Sequence, residues 1–103
     1  MNRNALEAKN RLVANMKSMS LDSERAFFTM VHHEVENISG YIMNSEPAPF
    51  EGGWLALFAV FDNVGTPDFL FAMSNEEKNT YGIALGSDPS CPEWLGSRAY
   101  PIN

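Results

Sequence analysis

The sequence predicts an α+β fold, with an N-terminal helical pair packed on a small antiparallel β-meander. Three observations carry that expectation. Apolar residues over roughly the first 40 positions recur with the 3.6-residue period of helices. The run WLALFAVF is then apolar on both alternating faces and bounded by Gly52-Gly53 and Asp62-Asn63, as a central strand is. Two shorter apolar runs, DFLFAMS and TYGIAL, follow across the turn signals DNVGTP and NEEKN. An all-α arrangement is the alternative, because Thr66-Pro67-Asp68 also reads as a helix start and WLALFAVF contains helix-compatible Leu and Ala.

In the first helix Ala5, Leu6, Leu12, Val13, Met16 and Met19 gather on one side, and Lys9 interrupts that side so that the first turns are expected at its edge. Ser20 or Asp22 is the expected N-cap of the second helix, since a short oxygen-bearing side chain there accepts from an open backbone N–H. Phe27, Phe28, Val31, Val35, Ile38 and Ile42 fall within an arc of about 100°, which predicts a helix from Leu21 to Met43. Gly40 offers an earlier end at Ser39 and Gly40. The stretch NSEPAPFEGG reads as a connector. From Gly86 onward no period is sustained, and the tail is expected to wrap on the core through Trp94, Leu95 and Tyr100.

At 103 residues the chain is the size of one domain, spanning 1–103, and its 45% hydrophobic content suits a packed globule. The longest apolar run has eight residues, far short of the roughly 18 to 20 that a membrane span needs, so no membrane partner is expected. The start, MNRNALEAKNRLVANMKSMS, spreads charge and Asn through its length and is read as a structural helix, not as a signal or transit peptide. A single cysteine, Cys91, forms no internal disulfide, which makes a reducing cytoplasm the expected location.

Residues 1–25 hold five of the seven bases against three acids, net +2, whereas the remaining 78 residues carry two bases against ten acids, net −8. From Ala26 to Asn75 there is no Lys or Arg. Such a surface repels phosphate backbones and argues against nucleic acid as a partner.

The motif HHEVEN, His32 to Asn37, is the one place that resembles a chemical site. On the helical wheel His32 sits at the margin of the apolar arc beside Arg25 and Glu36, while His33 points about 100° further round. The zinc-protease pattern HExxH fails, because Asn37 occupies the position of the second ligand. His32 and Glu36 supply only two ligands, so no metal is expected. Cys91 lacks any basic neighbour that would turn it into a thiolate and reads as a plain thiol. EGGW and YGIALGSD match neither nucleotide-binding Gly fingerprint, and no cofactor is expected.

Without a catalytic constellation, the expected function is that of a small acidic, non-enzymatic protein that binds another protein, as an inhibitor, adaptor or immunity-type factor does. Glu34, Glu36 and His33 on the second helix, with Trp94 and Tyr100 in the tail, are the expected contact residues. The uncompensated acids point to a partner with a basic surface. One alternative is a small-molecule binder or minor enzyme with a pocket between helices and sheet, lined by Phe and Trp and oriented by His32, Glu36 or Tyr81. Another is a homo-oligomer in which the basic first helix of one copy meets the acidic body of the next.

Overall fold

Ser23 opens the second helix. Its backbone is extended, and its hydroxyl accepts a 3.1 Å bond from the Ala26 N–H, leaving Glu24 in the first turn where the helix dipole favours an acid. Gly40 closes the same helix in the left-handed region at φ 70°, and its N–H donates to the Glu36 carbonyl at 2.8 Å. These caps belong to a computed structural model that describes residues 2–18, 23–40, 43–50, 52–75 and 80–87, together with the backbone of 93–101. Two helices, α1 (Arg3–Ser18) and α2 (Glu24–Ser39), precede an antiparallel sheet of β1 (Met43–Asn44), β2 (Ala48–Phe50), β3 (Gly53–Phe61), β4 (Pro67–Asn75), β5 (Thr80–Gly86) and β6 (Glu93–Pro101). The strands lie in the order β1-β3-β4-β5-β6, with β2 also on β3. The α+β reading therefore holds, and the all-α alternative falls.

The second helix begins later than expected, at Ser23 and not at Ser20 or Asp22, and it takes the earlier of its two expected ends. Pro67 opens a strand instead of a helix. It sits opposite Phe61, at the first position of β4, where a missing N–H disturbs the ladder least. NSEPAPFEGG is more than a connector, since its first residue ends β1 and its middle forms β2, both along the edge of β3. The tail likewise forms β6, which pairs with β5 and places Tyr100 opposite Tyr81 and Glu93, the residue before Trp94, opposite Leu85. The expected contacts of the Trp94, Leu95 and Tyr100 side chains, and the expected places of Met19, Ile42 and Cys91, lie outside the described residues.

One sheet face carries the core in cross-strand rows: Phe58–Leu70–Leu85, then Ala56–Ala72–Ile83, then Trp54–Ser74–Tyr81. Onto these rows α2 buries Phe27, Met30, Val31 and Val35, with the Phe27 ring stacked on Tyr81 at 4.6 Å between centroids. The other face of β3 and β4 carries Leu55, Leu57, Phe61, Phe69, Phe71 and Met73, which is why these strands read as unbroken apolar runs.

α1 buries Ala5, Ala8, Leu12 and Met16, a narrower stripe than the sequence suggested, and Leu6 is left 45% exposed. Its first turns are central to the core and not at its edge. Asn2 explains this: its side-chain oxygen caps the helix by accepting from Ala5 N–H at 2.7 Å, while its amide donates to the carbonyls of Val60 at 2.8 Å and Thr66 at 3.3 Å. Its backbone N–H donates to the Asp68 carboxylate, and the Asn4 amide adds a 2.8 Å bond to the Phe61 carbonyl. The start of α1 is thereby fastened to the turn between β3 and β4, and two alanines let its backbone approach the sheet. Replacing Asn2 by Ala removes a cap and two long-range bonds, with an expected loss of about 1–3 kcal/mol in urea denaturation. A loss no greater than that from Asn10→Ala, at an exposed position of the same helix, would show that this clamp contributes nothing.

Candidate binding groove

On α2 the residues Arg25, Phe28, Thr29 and His32 fall at i, i+3, i+4 and i+7 and form one lip of a groove. Its floor is the edge of the core face of β3, where alternation places Trp54, Ala56 and Phe58 on the same side. The third wall is the edge strand. Asn44 stands opposite Phe58, and the Ser45 N–H continues the pairing with a 2.9 Å bond to the Leu57 carbonyl. Pairing resumes with Ala48 opposite Leu55 and Pro49 opposite Trp54. Glu46 and Pro47 therefore share the single partner Ala56, which makes β1 and β2 one edge strand interrupted by a bulge. Pro47 has no N–H to give to the ladder, and the Ser45 hydroxyl substitutes on the other side by accepting from Leu57 N–H at 2.9 Å. With Pro49 also in it, this edge is poorly suited to adding a further strand.

The groove so enclosed has a volume of about 500 Å³. Phe28 and Trp54 are half-buried in it and Phe58 is buried beneath, so aromatic surface faces solvent beside a polar wall. Glu46 is exposed on that wall and makes no hydrogen bond or ion pair among the described residues. The charged groups at the rim are the carboxylates of Glu24 and Glu46 and the guanidinium of Arg25.

The two histidines of HHEVEN part company, as their wheel positions require. His32 lines the groove, whereas His33 is exposed and pairs through Nε2 with the Asn37 amide at 3.1 Å. His33 and Glu34 border a second, shallower depression of about 600 Å³ between α1 and α2. Glu34 is not uncompensated there: Arg11 reaches it at 3.9 Å and also contacts Glu7 at 3.5 Å. That engagement draws Arg11 away from the basic face that α1 was expected to offer a second copy. Glu36 is exposed on α2. Two further acids from the base-poor stretch are structural. Asp62 accepts from the N–H groups of Val64 at 3.0 Å and Thr66 at 2.8 Å, around the left-handed Gly65, and Asp68 is buried against Asn2. The continuous acidic surface suggested by the sequence is thus broken; among the described residues of that stretch Glu36 and Glu46 are its exposed remainder, and Glu51, Glu76 and Glu77 lie outside the described residues.

Tyr81, expected to orient a ligand, is 2% exposed and stacked in the core. Among the described residues no group of three His, Cys, Asp or Glu side chains is placed to hold a metal ion, and no described helix is long and apolar enough to cross a membrane. The sequence offers a pocket between helices and sheet with Phe, Trp and His32 at it, but not the third wall of this groove, because the stretch 44–47 reads as a connector; the close spacing of Pro47 and Pro49 just before Trp54 is the available sign of a guarded strand edge. No protein-family model, curated protein or solved structure matches the chain.

Proposed function

We propose that the protein acts in the cytoplasm by binding another protein, as an inhibitor, adaptor or immunity-type factor does, and that the groove between α2 and the bulged edge strand receives the partner's anchor. The observation that carries this reading is aromatic surface, from Phe28 and Trp54, left open beside a polar rim. Binding hot spots have this make-up: large rings that desolvate on contact, surrounded by groups that keep water out. The exposed Glu36 and Glu46 suit a partner with basic groups at the periphery.

Wild-type protein and the Trp54→Ala variant, immobilised side by side in native extract, test this directly. A partner retained by the first and lost by the second, but kept by His33→Ala, supports the groove. Identical retention by all three would remove it. With that partner in hand, Glu36→Lys should slow association and flatten its salt dependence, because a screening length near 10 Å at 0.1 M blunts steering between exposed charges. Trp54→Ala should instead hasten dissociation. A second reading, a small-molecule site at the same place, has the groove's volume in its favour, since about 500 Å³ falls within the usual range for ligand pockets.

A further inference from the structure

We propose that the sheet face turned away from the helices is a contact between two copies of this chain. The register places Leu55 and Leu57 of β3 and Phe69 and Met73 of β4 on that face, and the edge strand adds Met43 and Ala48. The first four are half-buried, Ala48 is exposed and Met43 is 52% exposed. Both helices pack in the cluster on the opposite face. An antiparallel sheet that meets water on one side alternates apolar with polar residues, whereas from β1 to β5 no position of this outward face carries a charge. A sheet apolar on both sides calls for a layer on each. Toward β5 the face is closed, with Phe71 3% and Ala84 1% exposed, so its open part runs from β4 to the edge strand.

Charge and symmetry commit this patch to a second copy. At net charge −6 two copies repel wherever their acidic surfaces meet. The described acids lie on the helices, at the end of the β3–β4 hairpin in Asp62 and Asp68, and on the groove wall in Glu46, so contact through the outward face sets none of them against its own image. Its composition also matches the more apolar make-up of homodimer interfaces, where contacts between unlike partners carry about as much polar surface as the rest of a protein. A twofold axis running along β3 lays the edge strand of each copy over β4 of the other. It sets Met43 against the second copy's Phe69 and Ala48 against its Met73, so one operation covers all six residues. Three strands abreast span about 14 Å and nine residues run about 30 Å, a footprint of roughly 400 Å² per copy. That is small beside the roughly 800 Å² per partner of a standard interface, so the dimer is a weak one that dissociates on dilution.

Salt provides the sharpest test. An apolar contact between two like-charged copies strengthens as salt screens their repulsion, whereas a contact between the basic α1 of one copy and the acidic surface of the next weakens. Sedimentation of the full chain, from dilute to millimolar concentration and from low to high salt, should show a monomer–dimer equilibrium whose dissociation constant falls several-fold as salt rises. Leu57→Lys should raise that constant at least about tenfold, because the twofold axis brings each substitution into the contact twice. Leu57 is half-buried, so the lysine stem can lie on the sheet with its ammonium in water, and an unchanged circular dichroism spectrum checks the fold. Met43→Lys, at an exposed position, should weaken the dimer in the same direction. A wild-type chain that stays monomeric at every concentration would overturn the proposal; if Leu57→Lys then lost a partner captured from native extract, the face would belong to a different protein. Dissociation by salt would overturn it in favour of the charge-mediated assembly. A dimer that survives Leu57→Lys and is lost in Trp54→Ala would overturn it by moving the contact to the groove.

Discussion

Replacing Val31 by Asp should unfold the protein or remove at least about 4 kcal/mol of stability, a large share of the 5–15 kcal/mol typical of a domain. Val31 has no exposed surface and belongs to the cluster that joins both helices to the sheet. A carboxylate there either sheds its water without gaining a partner or takes up a proton, and both are costly. Val35, one turn on and equally buried, should respond in the same way. His33 is the internal control. It is exposed on the same helix and makes only a local contact with Asn37, so His33→Ala should shift the urea midpoint by no more than about 0.5 kcal/mol equivalent. The opposite order of effects would mean that α2 is rotated from the position described.

Gly53→Ala should be the second severe change, although it adds a single methyl. A Cβ at Gly53 would lie 1.8 Å from the Ser74 carbonyl oxygen, 2.5 Å from its carbon and 2.8 Å from the Asn75 Cα. All three atoms are backbone of β4, and that strand is held to β3 by an uninterrupted register from Gly53–Asn75 to Phe61–Pro67. Neither strand can yield without breaking pairs, and the expected cost is about 3 kcal/mol or more. Gly65→Ala makes the useful comparison. Its φ of 85° strains an alanine, but nothing lies within 4 Å of the added methyl, so the loss should stay near 1 kcal/mol. If Gly65→Ala proved the more damaging of the two in chemical denaturation, the close approach of β3 to β4 at this end would be disproved. In EGGW the two glycines thus do different work: Gly52 supplies a turn at φ 83°, and Gly53 makes room for a neighbouring strand.

The base-poor stretch shows how tertiary structure rewrites a charge pattern. Between Ala26 and Asn75 no base is available along the chain, yet Glu34 finds Arg11, Asp62 accepts two turn N–H groups and Asp68 accepts from Asn2. Two of those partners, Arg11 in α1 and Asn2 at its cap, belong to the helix that packs on the core face of the sheet. Counting charges along a sequence therefore overstates what is left for a binding partner, which among the described residues of that stretch is Glu36 on α2 and Glu46 on the bulge.

By itself the sequence determined the parts whose physics is local. The period of Phe27, Val31 and Val35 specifies which side of α2 is buried, and Gly40 stops that helix because it alone tolerates the left-handed conformation without strain. Three apolar runs between turn residues became β3, β4 and β5 for the same reason: each run is apolar on both alternating faces, one buried under the helices and, in β3 and β4, the other largely half-buried. Tertiary structure alone decided the elements that lack a pattern of their own. Residues 43–50 are polar and proline-rich, and they are strands because β3 presents an open edge to them; β6, equally aperiodic, owes its form to the edge of β5. The groove is the extreme case. Its walls come from 25–32, 44–47 and 54–58, three segments that meet only after the helices settle on the sheet, and a side chain such as His32 acquires its surroundings from residues that no spacing along the chain connects to it.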